Sequence, residues 1–206
     1  MKRVIDRFVY RGKTMEFSVT GDGENPIMLL HGGHSNCHEV FGRDVLVNNG
    51  FTVIIPSRAG YGNTSRSIGN SMAEAAEYYI KLLNHLSVDE ASIVAVSAGG
   101  PTGLYMAAKY PERVKSLTLQ SAVTKEWYKT EDHLYKISQV IFRPPFERFT
   151  WKMLSGMNNI APDFTFKMMF SAFSSLNYEE AADKISKSDV ESVRKMNNRQ
   201  RSGSGF

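Results

Sequence analysis

Short apolar runs alternate with stretches of helical spacing along the chain as far as Gln120. Each run is four to eight residues long and rich in aliphatic or aromatic side chains, which is typical of buried strands. Between them, apolar residues recur every three or four positions, which predicts amphipathic helices. The predicted strands are Val4–Tyr10, Thr14–Thr20, Ile27–Leu30, Phe51–Ile55, Ile93–Val96 and Val114–Leu119; the predicted helices are Glu39–Asn48, Met72–Leu86 and Leu104–Tyr110.

The connections between the predicted strands indicate how the sheet is built. Arg11-Gly12-Lys13 joins the first two strands tightly, which predicts an antiparallel hairpin. The later strands are separated by helices, which predicts parallel β-α-β units with right-handed crossovers. The sequence therefore predicts an α/β fold, with a mostly parallel sheet, helices on both faces and an N-terminal antiparallel hairpin.

The pattern changes after about Lys125, where no further buried strand is predicted. Helices are expected in its place, in a segment rich in methionine and phenylalanine. Ordinary helix packing explains any one of these side chains, but together they predict a deformable apolar cover. We expect residues 1–124 to form the core and residues 125–206 a helical cap. The expected helices are residues 132–142, 145–155, 163–175 and 178–198.

The segment Ala91–Gly103 predicts a strand, a sharp turn and a helix, with Ser97 at the turn. Its neighbours Ala95, Gly99 and Gly100 are small, as a close approach of strand and helix requires. This arrangement is typical of a nucleophile elbow, usually written G-x-S-x-G, with alanine here in place of the first glycine. A serine that only caps a helix is the alternative interpretation of this segment alone.

A serine that attacks a carbonyl creates an oxyanion, which needs two backbone N–H donors. The N–H of Ala98, at the start of the predicted helix, is the first candidate. The loop that begins at His31 leaves a buried strand and has little side-chain bulk, so Gly33 is the second candidate donor and His34 an alternative.

Ligands of parallel α/β sheets bind at the carboxyl ends of the strands. We therefore expect one crevice there, with His34 and Tyr61 as candidate residues that line the substrate. The segments expected to meet at this crevice are His31–Ser35, Ser57–Thr64, Ser97 and Ser121–Glu126.

Four stretches with characteristic order and spacing carry a family resemblance: His31-Gly32-Gly33, Ser57–Gly62, Ala95–Gly100 and Ala107–Val114. The chain resembles the α/β-hydrolase fold family, in the branch with a helical cap, over about residues 1–124. The family loop usually starts Asp-Arg, whereas this chain has Ser57-Arg58.

The resemblance implies a catalytic histidine and carboxylate after the serine. In complete members these follow two strands beyond the cap, and neither strand is found here. We therefore expect the C-terminal part of the core, with the catalytic base, to be absent.

The chain has five histidines that could replace that base internally. His31 is expected to brace the oxyanion loop, and His85 to lie at a helix end. His34 and His38 precede the serine, against the family order. His133 is the one histidine that follows Ser97, and it is a candidate base. Glu126 is a candidate acid, with solvated surface as the alternative.

The amino-acid composition restricts the classes of function that we expect for the protein. The chain is 42% hydrophobic and 22% charged, which fits a globular protein. Its net charge of +4 is not gathered into a basic stripe with interleaved aromatic residues, so no nucleic-acid partner is expected. The single cysteine, Cys37, excludes an internal disulfide. We expect no signal peptide, transmembrane span, metal or cofactor, and a cytoplasmic location.

We therefore expect a serine hydrolase of the esterase or lipase kind, acting on a small apolar ester or related substrate. Two alternatives stay open: a non-catalytic member that binds a small molecule or partner, and a truncated fragment without activity. Because the strand Val114–Leu119 would lie at an open sheet edge, self-association or binding of a complementing C-terminal fragment is also expected.

Overall fold

A computed structural model of the protein describes residues 2–40, 42–125 and 133–205. Six strands form one sheet in the order β1-β2-β4-β3-β5-β6. The strands are β1 (Val4–Tyr10), β2 (Lys13–Thr20), β3 (Asn25–Leu30), β4 (Phe51–Pro56), β5 (Ala91–Val96) and β6 (Val114–Gln120).

The pairing of these strands confirms the predicted topology. β1 and β2 form an antiparallel hairpin with Val4 opposite Val19 and Tyr10 opposite Lys13. β2 also runs antiparallel to β4. The pairs β3–β4, β3–β5 and β5–β6 are parallel. Their carboxyl ends therefore meet at one side of the sheet, where ligands of this architecture bind.

Three helices connect the parallel strands: α1 (Arg43–Asn48), α2 (Met72–His85) and α3 (Gly100–Lys109). Ser71 begins α2 by accepting a hydrogen bond from the N–H of Glu74. The prediction that the first helix starts at Glu39 is wrong. Gly42 precedes α1 with φ of 65°, a left-handed conformation that interrupts the helical path.

Helices cover both faces of the sheet. On one face, α2 and α3 pack on β3 and β5, and this main cluster includes Tyr78, Leu82 and Met106. The second face carries a smaller cluster in which α1 packs on β3 and β4. Burial of strand side chains on both sides explains why these strands are continuous apolar runs rather than alternating ones.

Residues 133–205 form a region that we call the helical region. Its helices are α4 (His133–Ile141), α5 (Glu147–Ile160), α6 (Pro162–Phe173), α7 (Tyr178–Ala181) and α8 (Lys187–Arg199). A single helix over residues 178–198 was expected, and that expectation is wrong. Ser186 and Asp189 form a capping box that starts α8 as a separate helix.

In the described ranges, no helix is long and apolar enough to cross a membrane. β6 lies at one edge of the sheet, and within this fully described strand no side chain is buried.

Candidate functional site

Ser97 lies at the carboxyl end of β5, where the strand turns sharply into α3. Its φ of 47° is left-handed, a region that non-glycine residues rarely adopt. Such a conformation costs about 1–3 kcal/mol and persists where the surrounding structure imposes it. The carbonyl of Ser97 accepts a hydrogen bond from the N–H of Val123 at 2.9 Å. The Ser97 hydroxyl makes no hydrogen bond to any residue within the described ranges.

Gly99 allows the turn after Ser97 to pack against the neighbouring strand. A Cβ at Gly99 would collide with the backbone oxygen of Leu30, at the end of β3. Backbone cannot move aside as the end of a flexible side chain can, so position 99 admits only glycine without a shift. Contact with β3 therefore explains Gly99, whereas a Cβ at Gly100 would collide with the backbone oxygen of Val123, after β6.

The loop after β3 approaches Ser97 through Gly32. A Cβ at Gly32 would lie 3.2 Å from Cβ of Ser97 and 3.8 Å from its Oγ, whereas a Cβ at Gly33 would have no heavy atom within 4 Å. Gly32 therefore provides the close approach, a role that the sequence analysis did not assign. Donation of an N–H to an oxyanion by Gly33 and Ala98 stays a prediction.

His31 connects this loop to the loop that follows β4. The ring is fully buried, and its Nε2 accepts a hydrogen bond from the N–H of Arg58 at 2.9 Å. Nδ1 therefore carries the proton and donates to the carbonyl oxygen of Gly32 at 2.7 Å. Burial and the nearby Arg58 charge lower the pKa of His31 to about 3. His31 is thus a neutral brace between two loops, with neither ring nitrogen free to accept a proton from Ser97.

Tyr61, expected to line the substrate crevice, is only 4% exposed. Its ring packs edge-on against His31, with centroids 5.4 Å apart. Burial raises the pKa of the Tyr61 hydroxyl, opposed by the Arg58 charge and by a hydrogen bond from the His34 backbone. Tyr61 therefore packs inside the protein and stabilises the loop that follows β4. Its contact with a substrate stays a prediction.

His34 joins the loop after β3 to the helical region. Its Nδ1 is hydrogen-bonded to Oγ of Ser202 at 2.7 Å, and the same oxygen accepts the Nε1–H of Trp151 at 2.9 Å. Glu147 accepts the backbone N–H groups of Ser202 and Gly203, each at 3.1 Å. Burial lowers the pKa of His34 to about 4. No local sequence signal predicts this junction, because its members are up to 168 positions apart.

The remaining candidate acids and bases are not assembled around Ser97. His38, His85 and His133 are exposed, and Glu126 lies outside the described residues. In the described part of the chain, no histidine is hydrogen-bonded to the Ser97 hydroxyl. The structure thus brings Ser97, Gly32 and the two loops together, whereas His133 forms no hydrogen bond to any of them within the described ranges.

A strained serine that follows a parallel strand and lies beside a glycine loop is typical of α/β hydrolases. The chain belongs to the α/β hydrolase fold family, whose model matches residues 25–143. Among known proteins it is similar to the hydrolase YcgS of Bacillus subtilis (strain 168), with 49% identity over 206 residues, covering 100% of this chain and 72% of that protein.

Two further similarities agree with the family. A 2-hydroxy-6-oxononadienedioate/2-hydroxy-6-oxononatrienedioate hydrolase of Burkholderia vietnamiensis (strain G4 / LMG 22486) is 27% identical over 166 residues, covering 75% of this chain and 57% of that enzyme. The chain thus spans little more than half of that relative. The solved structure of an α/β hydrolase fold protein from Nakamurella multipartita superposes with a TM-score of 0.78 at 21% identity, covering 95% and 68% of the two chains. At that identity the likeness shows the fold alone.

Proposed function

We propose that the protein is a serine hydrolase in which Ser97 is the nucleophile. The observation that carries this proposal is the left-handed backbone of Ser97 at the carboxyl end of β5. That conformation is energetically unfavourable for serine, and it lifts the side chain out of the turn. The Ser97 hydroxyl forms no hydrogen bond in the described part of the chain, so it is available to a substrate.

In the proposed reaction, Oγ of Ser97 attacks the carbonyl carbon of an ester. The hydroxyl proton passes to a general base, and the alcohol leaves with a proton when the tetrahedral intermediate collapses. Water then hydrolyses the acyl-serine and releases the acid. The N–H groups of Ala98 and Gly33 are the proposed donors to the oxyanion. The base is assigned to none of the five histidines.

A small apolar ester or related acyl compound is the proposed substrate class. Large apolar side chains of α5 and α6 remain exposed in the helical region, among them Phe149 at 69% and Phe164 at 60%. Such flexible apolar surface suits apolar ligands of variable shape. We propose that this region caps the crevice, because Trp151 is connected to the oxyanion loop through Ser202.

A non-catalytic binding protein is the second candidate function. It is favoured by one observation: in the described residues the Ser97 hydroxyl has no histidine partner. A binding protein would retain the crevice and the cap without needing a proton acceptor. The retained strain at Ser97 favours the hydrolase instead, because binding alone does not require an unfavourable backbone at the serine.

Covalent labelling tests the proposal. We expect the protein to react with a fluorophosphonate probe at one site during a long incubation, since covalent labelling needs only a single turnover, and we expect Ser97→Ala to abolish the reaction, as read by intact mass and peptide mapping. Ser87→Ala is the matched control, because Ser87 also has positive φ, at 55°, but precedes β5 at the opposite end of the sheet. Labelling that persists in Ser97→Ala, or no labelling of the wild type, would contradict the assignment.

A further inference from the structure

Glu16 on β2 places a carboxylate inside the protein, with only 5% of the residue exposed. Burying a charged group is costly unless it is well bonded. In the described part of the chain, Glu16 forms no ion pair, so hydrogen bonds alone must stabilise it. Burial on its own would raise the pKa of this carboxyl, but its hydrogen bonds lower the pKa below the usual value.

The donors to this carboxylate come from the loop after β4. Ser57 donates its hydroxyl to Oε2 at 3.1 Å. Asn63 donates its backbone N–H to Oε2 at 3.1 Å and its side-chain amide to Oε1 at 2.5 Å. The two ends of the loop are therefore held by one side chain from another strand. Gly62 leaves room for this, because a Cβ there would collide with Oε2.

The loop after β3 is connected to the same carboxylate through the Ser57 hydroxyl and through the side chain of Cys37, whose hydrogen bond also lowers the pKa of Glu16. Oγ of Ser57 accepts the N–H of Cys37 at 2.9 Å while it donates to Glu16. Cys37 follows the segment His31–His34 that passes beside Ser97. The carboxylate thus sets the direction of the Ser57 hydroxyl, which in turn holds the chain after the oxyanion loop.

We propose that Glu16 is a positioning residue, whose carboxylate on β2 holds both loops that flank Ser97. Its carboxylate orients the Ser57 hydroxyl, which accepts the N–H of Cys37 after the loop beside Ser97. Glu16 touches neither Ser97 nor a reacting atom, and it acts through Ser57 and Asn63. For its consequence on catalysis, this inference rests on the proposed role of Ser97.

Amide hydrogen exchange of the intact protein tests the proposal without any need for activity. We expect Glu16→Gln to speed exchange of the backbone amides of Asn63 and Cys37 about tenfold. The side-chain NH2 of the new glutamine cannot accept a hydrogen bond, so one of the donors that Glu16 now satisfies loses its acceptor. The Ser57 amide is an internal control, since it donates to the backbone oxygen of residue 16 at 2.8 Å. Glu24→Gln, at an exposed glutamate, is the control variant.

A relocated carboxylate provides the decisive variant. In Glu16→Gln/Ser57→Asp, the new acid can accept the Cys37 N–H directly and also accept from the glutamine amide. We expect Cys37 exchange to return to within about twofold of wild type, and fluorophosphonate labelling of Ser97, slowed in Glu16→Gln, to recover with it. A merely space-filling role for Glu16 predicts no such rescue.

The outcomes separate this proposal from the proposed function. Unchanged exchange in Glu16→Gln overturns the positioning role, and so does a double variant that fails to fold or to restore protection. If wild-type Ser97 does not label, the hydrolase assignment fails, while the exchange at Asn63 and Cys37 still decides whether Glu16 holds the two loops.

Discussion

The N–H of Arg58 donates a hydrogen bond of 2.9 Å to Nε2 of His31, inside the protein and beside the candidate nucleophile. The other ring nitrogen of His31 donates to the carbonyl oxygen of Gly32, where an added Cβ would lie 3.2 Å from Cβ of Ser97. Because both nitrogens are used and the ring is fully buried, the neutral form of His31 is required in the folded state. Protonation of His31 would break its hydrogen bond with the N–H of Arg58, so the connection between the two loops depends on pH.

Stability should fall in acid because of His31. Its folded pKa is about 3, against about 6.5 when unfolded, so the unfolded chain binds a proton first as the pH decreases. The stabilising contribution is complete above about pH 6.5 and is lost progressively between pH 6.5 and 3. From pH 7 to pH 5 we expect His31 to account for a loss of about 2 kcal/mol in the free energy of unfolding.

Urea unfolding at the two pH values, on wild type and His31→Gln, measures this contribution. The loss between pH 7 and pH 5 should be about 2 kcal/mol smaller in His31→Gln. His38→Gln, at an exposed histidine, is the control variant. Equal pH dependence in all three proteins would show that His31 is not a buried neutral group.

Two glycines in helical turns should respond to alanine in opposite directions. Gly99→Ala places a Cβ against the backbone oxygen of Leu30, so we expect a loss of about 1–3 kcal/mol. Gly156, inside α5, has no heavy atom within 4 Å of its Cβ position, and alanine there should add about 0.5–1 kcal/mol through helix propensity. Thermal unfolding of both variants checks the pair; a stable Gly99→Ala would show that β3 and the turn are not in close contact.

Ester hydrolysis by the 206-residue chain should be slow. Within the described ranges no histidine is hydrogen-bonded to the Ser97 hydroxyl, and losing a member of a catalytic triad typically costs several powers of ten in turnover. We expect p-nitrophenyl esters to be hydrolysed far below the usual range of about 1–1000 per second. A rate within that range would reveal an internal base, and His133→Ala and Glu126→Ala would identify it.

The exposed edge of the sheet should promote association. β6 ends the sheet, Leu119 is 41% exposed, and Lys115 is the one charged residue in this fully described strand. An edge with free backbone groups pairs readily with another strand. We expect sedimentation of the purified chain to show self-association, or a complex when a complementing C-terminal fragment is added.

One variant at each edge of the sheet makes that expectation specific. Leu119→Lys should shift the association toward monomer, whereas Val4→Lys on the opposite edge strand, where Val4 is 57% exposed, should not. A monomer that unfolds cooperatively with nothing bound would contradict the expectation. It would mean that the helical region covers the sheet sufficiently by itself.

The strands of the core could be located from the sequence because burial on both faces leaves uninterrupted apolar runs. β5 and β6 were predicted within two residues of their observed bounds. Helix boundaries were less accurate, because Gly42 and Ser186 act through backbone conformation and capping, which a periodic apolar pattern does not report.

The candidate site, too, could be predicted from the sequence only in part. Ser97 and the glycines around it form a local pattern, and local patterns can be recognised without coordinates. Glu16 could not be assigned to the site from its position on a strand, because its partners Ser57 and Asn63 are more than 40 positions away. The junction of His34 with Ser202 is still more distant in the chain.

The sequence by itself thus determined the sheet, the family resemblance and the serine at the turn, because each depends on side-chain periodicity or on small residues within a few positions. Only the tertiary structure decided which buried groups hold the two loops and that Gly32 leaves no free space for a side chain beside Ser97. Those relationships depend on hydrogen bonds and close contacts between segments that are distant in the chain. The strength of such interactions depends on how deeply the groups are buried in the folded protein, and adjacent residues in the sequence do not report that burial.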